Sequence, residues 1–475
     1  MSEPEIGAPV PPVGPPPGSG GFSLDTDEKT FASSARAYLN RIRSGDPGIL
    51  PSALGIVVLV FVFRQVSPRF LTRTNIGNLP GQGAYIAIIA LGLVFVLLLG
   101  EIDLSAGTAG GVAAGIAAQA MFSSGLHHGI PSLMYWILIG AMVGSAVLGL
   151  SLRVYVGPAV TLIGVAIMLT GLDDKIVLAI VVAVAVGTSI GTVTGWLVAK
   201  VGIPSFIVTL ALFLGWQGVL LFTLGSQPIN VSRYPIWNGL ANDNMSPLWS
   251  WVFVLATTGG YLAFTLIRSL RAKAKELSSE ALSLVLIRGG ALIALGAAIT
   301  IFANQNRNQN DGPKINGIPW AASIPITLMI ICTIALTKTT WGRHLFAIGG
   351  SAEAARRAGI NITKVKVSAF VLCSGFGALG GVFLSSNTGS VPLDQGSGNV
   401  LLFSVAAAVI GGTSLFGGRG KPRDAIIGAI VIVLIPNGIT LRTSLPAQYQ
   451  QIITCGVLLL AATVDALARR RATTR

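Results

Sequence analysis

Gly83-Ala84-Tyr85-Ile86-Ala87-Ile88-Ile89-Ala90-Leu91-Gly92-Leu93-Val94-Phe95-Val96-Leu97-Leu98-Leu99-Gly100-Glu101-Ile102-Asp103-Leu104-Ser105-Ala106-Gly107-Thr108 is an apolar run that meets two carboxylates within three positions. It then turns apolar again and continues to residue 122 with almost no linker. A run of this length and character is built to lie in hydrocarbon. A carboxylate at that depth is costly, so Glu101 and Asp103 are not expected to face lipid. In a continuous helix, positions i and i+2 point in different directions, whereas a break flanked by Gly100 and Gly107 lets both turn inward. Two readings follow. Glu101, Asp103 and Ser105 line a polar route through the membrane, or the carboxylates form a structural bracket that accepts hydrogen bonds from N–H groups of broken helices.

Outward from this stretch, apolar segments recur at about 50–66, 83–100, 104–122, 133–152, 157–172, 176–198, 204–225, 247–267, 287–303, 319–337, 366–386, 399–417, 424–440 and 447–467. Several fall short of the ~20 residues of a perpendicular span, which predicts half-helices or re-entrant pieces. The 475 residues have a mean hydropathy of +0.74 and 11% charged residues, against about 25% in soluble domains. The 59 glycines suit transmembrane helices that approach closely. The fold class is therefore an all-α polytopic integral membrane protein of about fourteen apolar segments, with the lipid bilayer as a partner. The net charge of +14 does not indicate nucleic acid, because Lys and Arg sit in short loops and tails beside apolar spans. Cys332, Cys373 and Cys455 lie within apolar segments, without disulfide or metal spacing.

Residues 1–22 are rich in Pro and Gly, and 1–30 is read as a disordered cytoplasmic tail. Phe31, Ala35, Tyr38, Leu39 and Ile42 recur at helical spacing beside Arg36, Arg41 and Arg43, predicting an amphipathic interfacial helix over 31–45. The membrane domain then runs over 46–468, and 469–475 is a basic cytoplasmic tail. An even number of segments puts both termini on one side. Lys and Arg on that side outnumber those opposite about three to one, so the positive-inside rule makes both termini cytoplasmic.

The same assignment leaves Gly349-Gly350-Ser351-Ala352-Glu353-Ala354-Ala355-Arg356-Arg357-Ala358-Gly359 on the cytoplasmic side. Ser351 is placed to cap a short helix, with Glu353 in its first turn, Arg356 and Arg357 in its last, and Gly359 at the left-handed closing position. A small face of Ala354, Ala355 and Ala358 permits close approach by another protein.

Five segments, ordered along residues 50–470, carry a family resemblance: Phe70-Leu71-Thr72 with Asn75, Asn78 and Gln82; Glu101 to Gly107; Lys200-Val201-Gly202-Ile203-Pro204-Ser205-Phe206-Ile207-Val208-Thr209-Leu210; Trp341-Gly342-Arg343 through Gly359-Ile360-Asn361; and Val409 to Gly420. The chain resembles the permease subunits of bacterial ABC sugar importers of the ribose/xylose type, a branch grouped with branched-chain amino acid permeases, and is most similar to its xylose members. The resemblance implies a core of about ten transmembrane helices with extra helices around it, in the bacterial cytoplasmic (inner) membrane. It implies a separate ABC ATPase that uses the ATP, an extracytoplasmic sugar-binding protein, and a second permease copy or homologue. It makes 351–359 the coupling helix, with Ser351, Glu353, Ala354, Ala355, Arg356 and Gly359 at the ATPase contact. Residues 153–175 look like an extra hairpin, and the polar connections 227–244 and 304–314 have unfamiliar sequences.

The glycine-rich Gly412–Lys421 fails the phosphate-loop pattern twice, with Leu415 in place of the first glycine and Pro422 in place of Ser or Thr. No ATP, cofactor or metal is expected on this chain. His127-His128 has no ligand partner at metal spacing, and no catalytic arrangement is visible, so the chain is read as a transport subunit and not an enzyme. Gln217 inside an apolar span, and Asn399 beside Asp394 and Gln395, join Asn78 and Gln82 as candidates for the substrate route. Two other classes stay open at this point: an ion-coupled secondary transporter using Glu101 and Asp103, and a non-transporting scaffold.

Overall fold

The computed structural model describes residues 50–225, 227–275, 282–308 and 314–441, with residues 448, 449, 451–453, 455, 456, 459 and 463 beyond them. The tails expected at 1–30 and 469–475, the helix expected over 31–45 and most of the apolar segment 447–467 lie outside the described residues.

Helices account for most of the described residues. In chain order they are α1 (Leu50–Val66), α2 (Arg73–Leu98), α3 (Ala106–Phe122), α4 (Leu126–Gly129), α5 (Ser132–Ser151), α6 (Val156–Leu169), α7 (Ile176–Val201), α8 (Ser205–Leu224), α9 (Pro235–Asn242), α10 (Pro247–Ala274), α11 (Leu282–Ala303), α12 (Trp320–Lys338), α13 (Thr340–Gly350), α14 (Ala352–Arg357), α15 (Ile362–Thr388), α16 (Asn399–Gly411) and α17 (Pro422–Thr440). Among the described residues, nine are long and apolar enough to cross a membrane. The sheet is a minimal one, Ile229–Asn230 antiparallel to Ser390–Val391.

The chain divides into two compact units. In the smaller, within 254–298, Gly289 packs on Leu262 and Gly296 on Val254, drawing α10 and α11 into an antiparallel pair. The larger holds the remaining described residues and is organised around α15, which packs against α2, α3 and α7. These contacts run through small residues. A Cβ added at Gly92 would lie 2.9 Å from the Cys373 carbonyl oxygen, and one at Gly195 would lie 2.8 Å from the Val367 Cα. Helices in hydrocarbon gain nothing from excluding lipid, so close packing of backbones supplies much of the attraction. Within the 153–175 segment, α6 packs against both α5 and α7, with the Thr161 and Thr188 hydroxyls 3.1 Å apart.

The chain breaks at 99–105, where Gly100 and Gly107 predicted it, and again at 389–398. Residues 99–105 leave α2 and climb beside α15, so that α3 begins with Ala106 against Gly377, ~22 Å along α15 from Ile362. From the opposite end, residues 389–398 descend until the Gln395 Nε2 donates to the Gly381 carbonyl at 2.9 Å. There α16 starts, only 13 residues long. The backbones of Gly107 and Gly396 touch, with no room for a Cβ on either. The N-terminal ends of two half-helices therefore meet in the middle of the fold.

Candidate functional site

The first turns of α2 are polar yet helical. Thr72 caps them by accepting from the Asn75 N–H at 3.4 Å, and this extends α2 ten residues ahead of its apolar run. Thr74, Gly77, Asn78, Gly81 and Gln82 share one face at helical spacing. With Ala241, Asn242, Asn244, Arg307, Ile315, Pro319 and Asn387, that face lines a cavity of ≈ 320 Å³. α9 closes one wall, fixed to the end of α15 by the Trp237 Nε1 donating to Ser385 at 3.0 Å and the Ala241 N–H donating to Ser386 at 2.9 Å.

Arg307 is the charged group of this cavity, only 5% exposed. Its Nη2 donates to Asn244 Oδ1 at 2.7 Å and to the Gly317 carbonyl at 2.9 Å, while Nε has no partner among the described residues. Burial lowers its pKa from the usual value. The guanidinium crosses Gly77, where an added Cβ would lie 2.7 Å from Nη1, so a glycine is required for this placement. Gln82 is partly engaged, because its Oε1 accepts from Asn437 Nδ2 at 3.2 Å and Asn437 exchanges two 2.9 Å bonds with buried Asn75. Asn78 and Asn387 are left facing the cavity. Side-chain amides both donate and accept, so the lining suits a neutral, hydroxyl-rich molecule.

The carboxylates lie elsewhere. Gln82 and Leu98 are ~24 Å apart along α2, and Glu101 follows at the far end. There it forms an ion pair with Lys366 of α15, both side chains about one-fifth exposed. Asp103 is fully buried, and its Oδ1 accepts from the Ser105 N–H at 2.9 Å and the Ser105 hydroxyl at 2.7 Å. The carboxylate thus holds Ser105, the residue at the N-cap of α3. Ser205 and Thr209 of α8 hold the residue between, Ser205 accepting from the Ile102 N–H at 3.2 Å and Thr209 donating to the Ile102 carbonyl at 3.3 Å. Gln217 sits half-buried on α8, outside the cavity, and Asn399 is exposed at the start of α16. The seven residues expected along one route are therefore spread over separate places.

The short polar helix forms as α14. Ser351 accepts from the Ala354 N–H at 3.2 Å, Glu353 pairs with Arg356 at 3.5 Å and Arg357 at 3.2 Å, and Gly359 has φ +80. Its small face differs from the expectation. Ala354 and Ala358 are exposed, but Ala355 is buried in the core and is not available to a partner. Behind it, the Gly418 N–H donates to the Leu98 carbonyl at 2.9 Å and Gly349 packs on the same carbonyl, so the chain entering α14 touches the end of α2.

Residues 163–462 match the family described as branched-chain amino acid transport system / permease component. The chain belongs to this permease family. It is 30% identical to the xylose transport system permease protein of Haemophilus influenzae over 87% of this chain and 95% of that protein. The corresponding protein of Escherichia coli strain K12 is 29% identical over 88% and 91%. The ribose import permease protein of the same strain is 25% identical over 87% and 92%. No solved structure matches.

Family membership sets aside the ion-coupled carrier that the two acids suggested, and the geometry gives both acids other work. Sequence reading missed Lys366, Arg307, Asn244 and Asn387. Lys366 meets Glu101 across 265 positions and Arg307 meets Asn244 across 63, and nothing local in the sequence marks either pairing.

Proposed function

We propose that this permease carries a neutral sugar, xylose-like, through the bacterial cytoplasmic membrane in an importer driven by a separate ATPase. The observation that carries this reading is the end-to-end similarity to xylose permeases, up to 95% of the relative's length. The cavity of amides around Arg307 supports it, since vicinal hydroxyls need donors and acceptors side by side. The cavity is the outer reception point for sugar released by an extracytoplasmic binding protein. α14 is the contact for the ATPase, both termini are cytoplasmic, and a second permease copy or a homologue completes the pathway. ATP is bound by the partner subunit alone, and this chain holds no cofactor or metal.

The test is uptake of labelled xylose and ribose into vesicles containing this chain with its ATPase and binding protein. ATP-dependent uptake, greater for xylose and insensitive to collapse of ion gradients, is expected. In the same vesicles Gly77→Ala, which displaces Arg307, should raise the sugar concentration giving half-maximal uptake. Accumulation driven by a proton or sodium gradient without any ATPase would overturn the proposal.

A further inference from the structure

The Glu101–Lys366 pair joins two segments that no other charged contact connects among the described residues. Glu101 stands at the start of the extended 99–105 segment that leads into the half-helix α3. Lys366 stands one turn into α15, whose start is fixed by Asn361 accepting from the Lys364 N–H at 2.9 Å. Between α14 and α15 lie only residues 358–361, and the Ile360 N–H donates back to the Ala355 carbonyl at 3.0 Å. Ala355 itself is buried, so α14 cannot slide without carrying the first turns of α15. Lys366 therefore moves with α14.

At the other end, Glu101 is on the same strand of backbone as Ile102, bound on both sides by α8, and Asp103, bound to the start of α3. A shift of Lys366 that keeps the ion pair must pull this strand, and through it the meeting point of the two half-helices at Gly107 and Gly396. Both side chains are only about one-fifth exposed, and a largely buried ion pair is weak evidence of a stabilising role, because desolvation offsets its attraction. We propose that Glu101 and Lys366 are positioning residues that transmit movement of α14 to the broken segment 99–105, so that the ion pair couples ATP use to the opening of the route. This rests on the ATP-driven reading above and extends it to two residues that touch neither sugar nor ATP.

The experiment compares wild type, Glu101→Gln, Lys366→Gln and the exchanged pair Glu101→Lys with Lys366→Glu, each assembled with the ATPase and binding protein in vesicles. The readout is sugar moved per ATP hydrolysed, which a merely stabilising contact leaves unchanged in assembled complexes. Each single variant is expected to hydrolyse ATP while its ratio falls about fivefold or more, and the exchanged pair is expected to recover most of the wild-type ratio. Unchanged ratios in both single variants would overturn the proposal. So would an exchanged pair that assembles yet stays uncoupled, or one that fails to assemble at all. Failure of both single variants to assemble would make the pair a structural anchor and overturn the proposal as well. A wild type that moves no sugar with its ATPase would instead sink the underlying reading, and so is distinguishable.

Discussion

Asp103 brings a carboxylate into the middle of the fold and forms no ion pair among the described residues. Its value is local: one oxygen accepts from both the N–H and the hydroxyl of Ser105, at the N-terminal end of α3 where backbone donors lack partners. Asp103→Ala removes that acceptor and strands two buried donors, a loss of roughly 1–3 kcal/mol. Asp103→Asn keeps an oxygen in place. Thermal unfolding of the purified protein in detergent should show a midpoint several degrees lower for the alanine variant and a smaller change for asparagine. Equal midpoints for all three proteins would refute the bracket role. This role was one of two readings open in the sequence, because Gly100 and Gly107 announced a break. The partner of Glu101 was not legible, since nothing local to Gly100–Thr108 points to a lysine on α15. The same holds for Arg307, which depends on the absent side chain of Gly77 and on Asn244 across a loop of unfamiliar sequence.

At the scale of elements, the apolar runs located most helices to within a few residues, and the exceptions have causes. α2 starts ten residues early because its polar first turns face the cavity and α17 and so need not be apolar. α16 ends at Gly411 because Gly412 takes φ +123, so residues 412–417 form a loop in which Thr413 and Ser414 are buried and Phe416 is exposed. α14 spans six residues, Ala352–Arg357, between its Ser351 cap and Ala358, and Gly359 closes it in the left-handed conformation. Its geometry separates two substitutions that the sequence treats alike. Ala354→Arg puts bulk on the exposed face and should abolish co-purification of the ATPase while leaving the thermal midpoint near that of wild type. Ala355→Arg forces a charge and a long side chain into the core, overpacking that costs typically 1–3 kcal/mol with burial of charge in addition, and should lower the midpoint itself. Retention of the ATPase by Ala354→Arg would remove α14 from the coupling contact.

For the whole molecule, burial divides the spans. The apolar windows of α2 and α15 are 83% and 72% buried, whereas those of α8 and α12 are 28%. The first two therefore form the scaffold, and the last two present large apolar side chains such as Phe206, Leu214 and Ile331 outward to lipid or a partner. Because α2 is central and runs the length of the fold, it separates the Arg307 cavity at one end from the Glu101–Lys366 pair and α14 at the other. On the proposed orientation, which rests on the distribution of basic residues, sugar meets the Arg307 end first and the ATPase meets α14. Exposed Lys314 and Arg357 mark the two ends. Cys332 and Cys373 are buried, so replacing exposed Cys455 with serine gives a background of low reactivity. On it, Lys314→Cys should react with a membrane-impermeant maleimide in intact cells, and Arg357→Cys only after permeabilisation. The reverse pattern would invert the orientation, put α14 beyond reach of any cytoplasmic ATPase, and leave the ATP-driven reading without a point of contact.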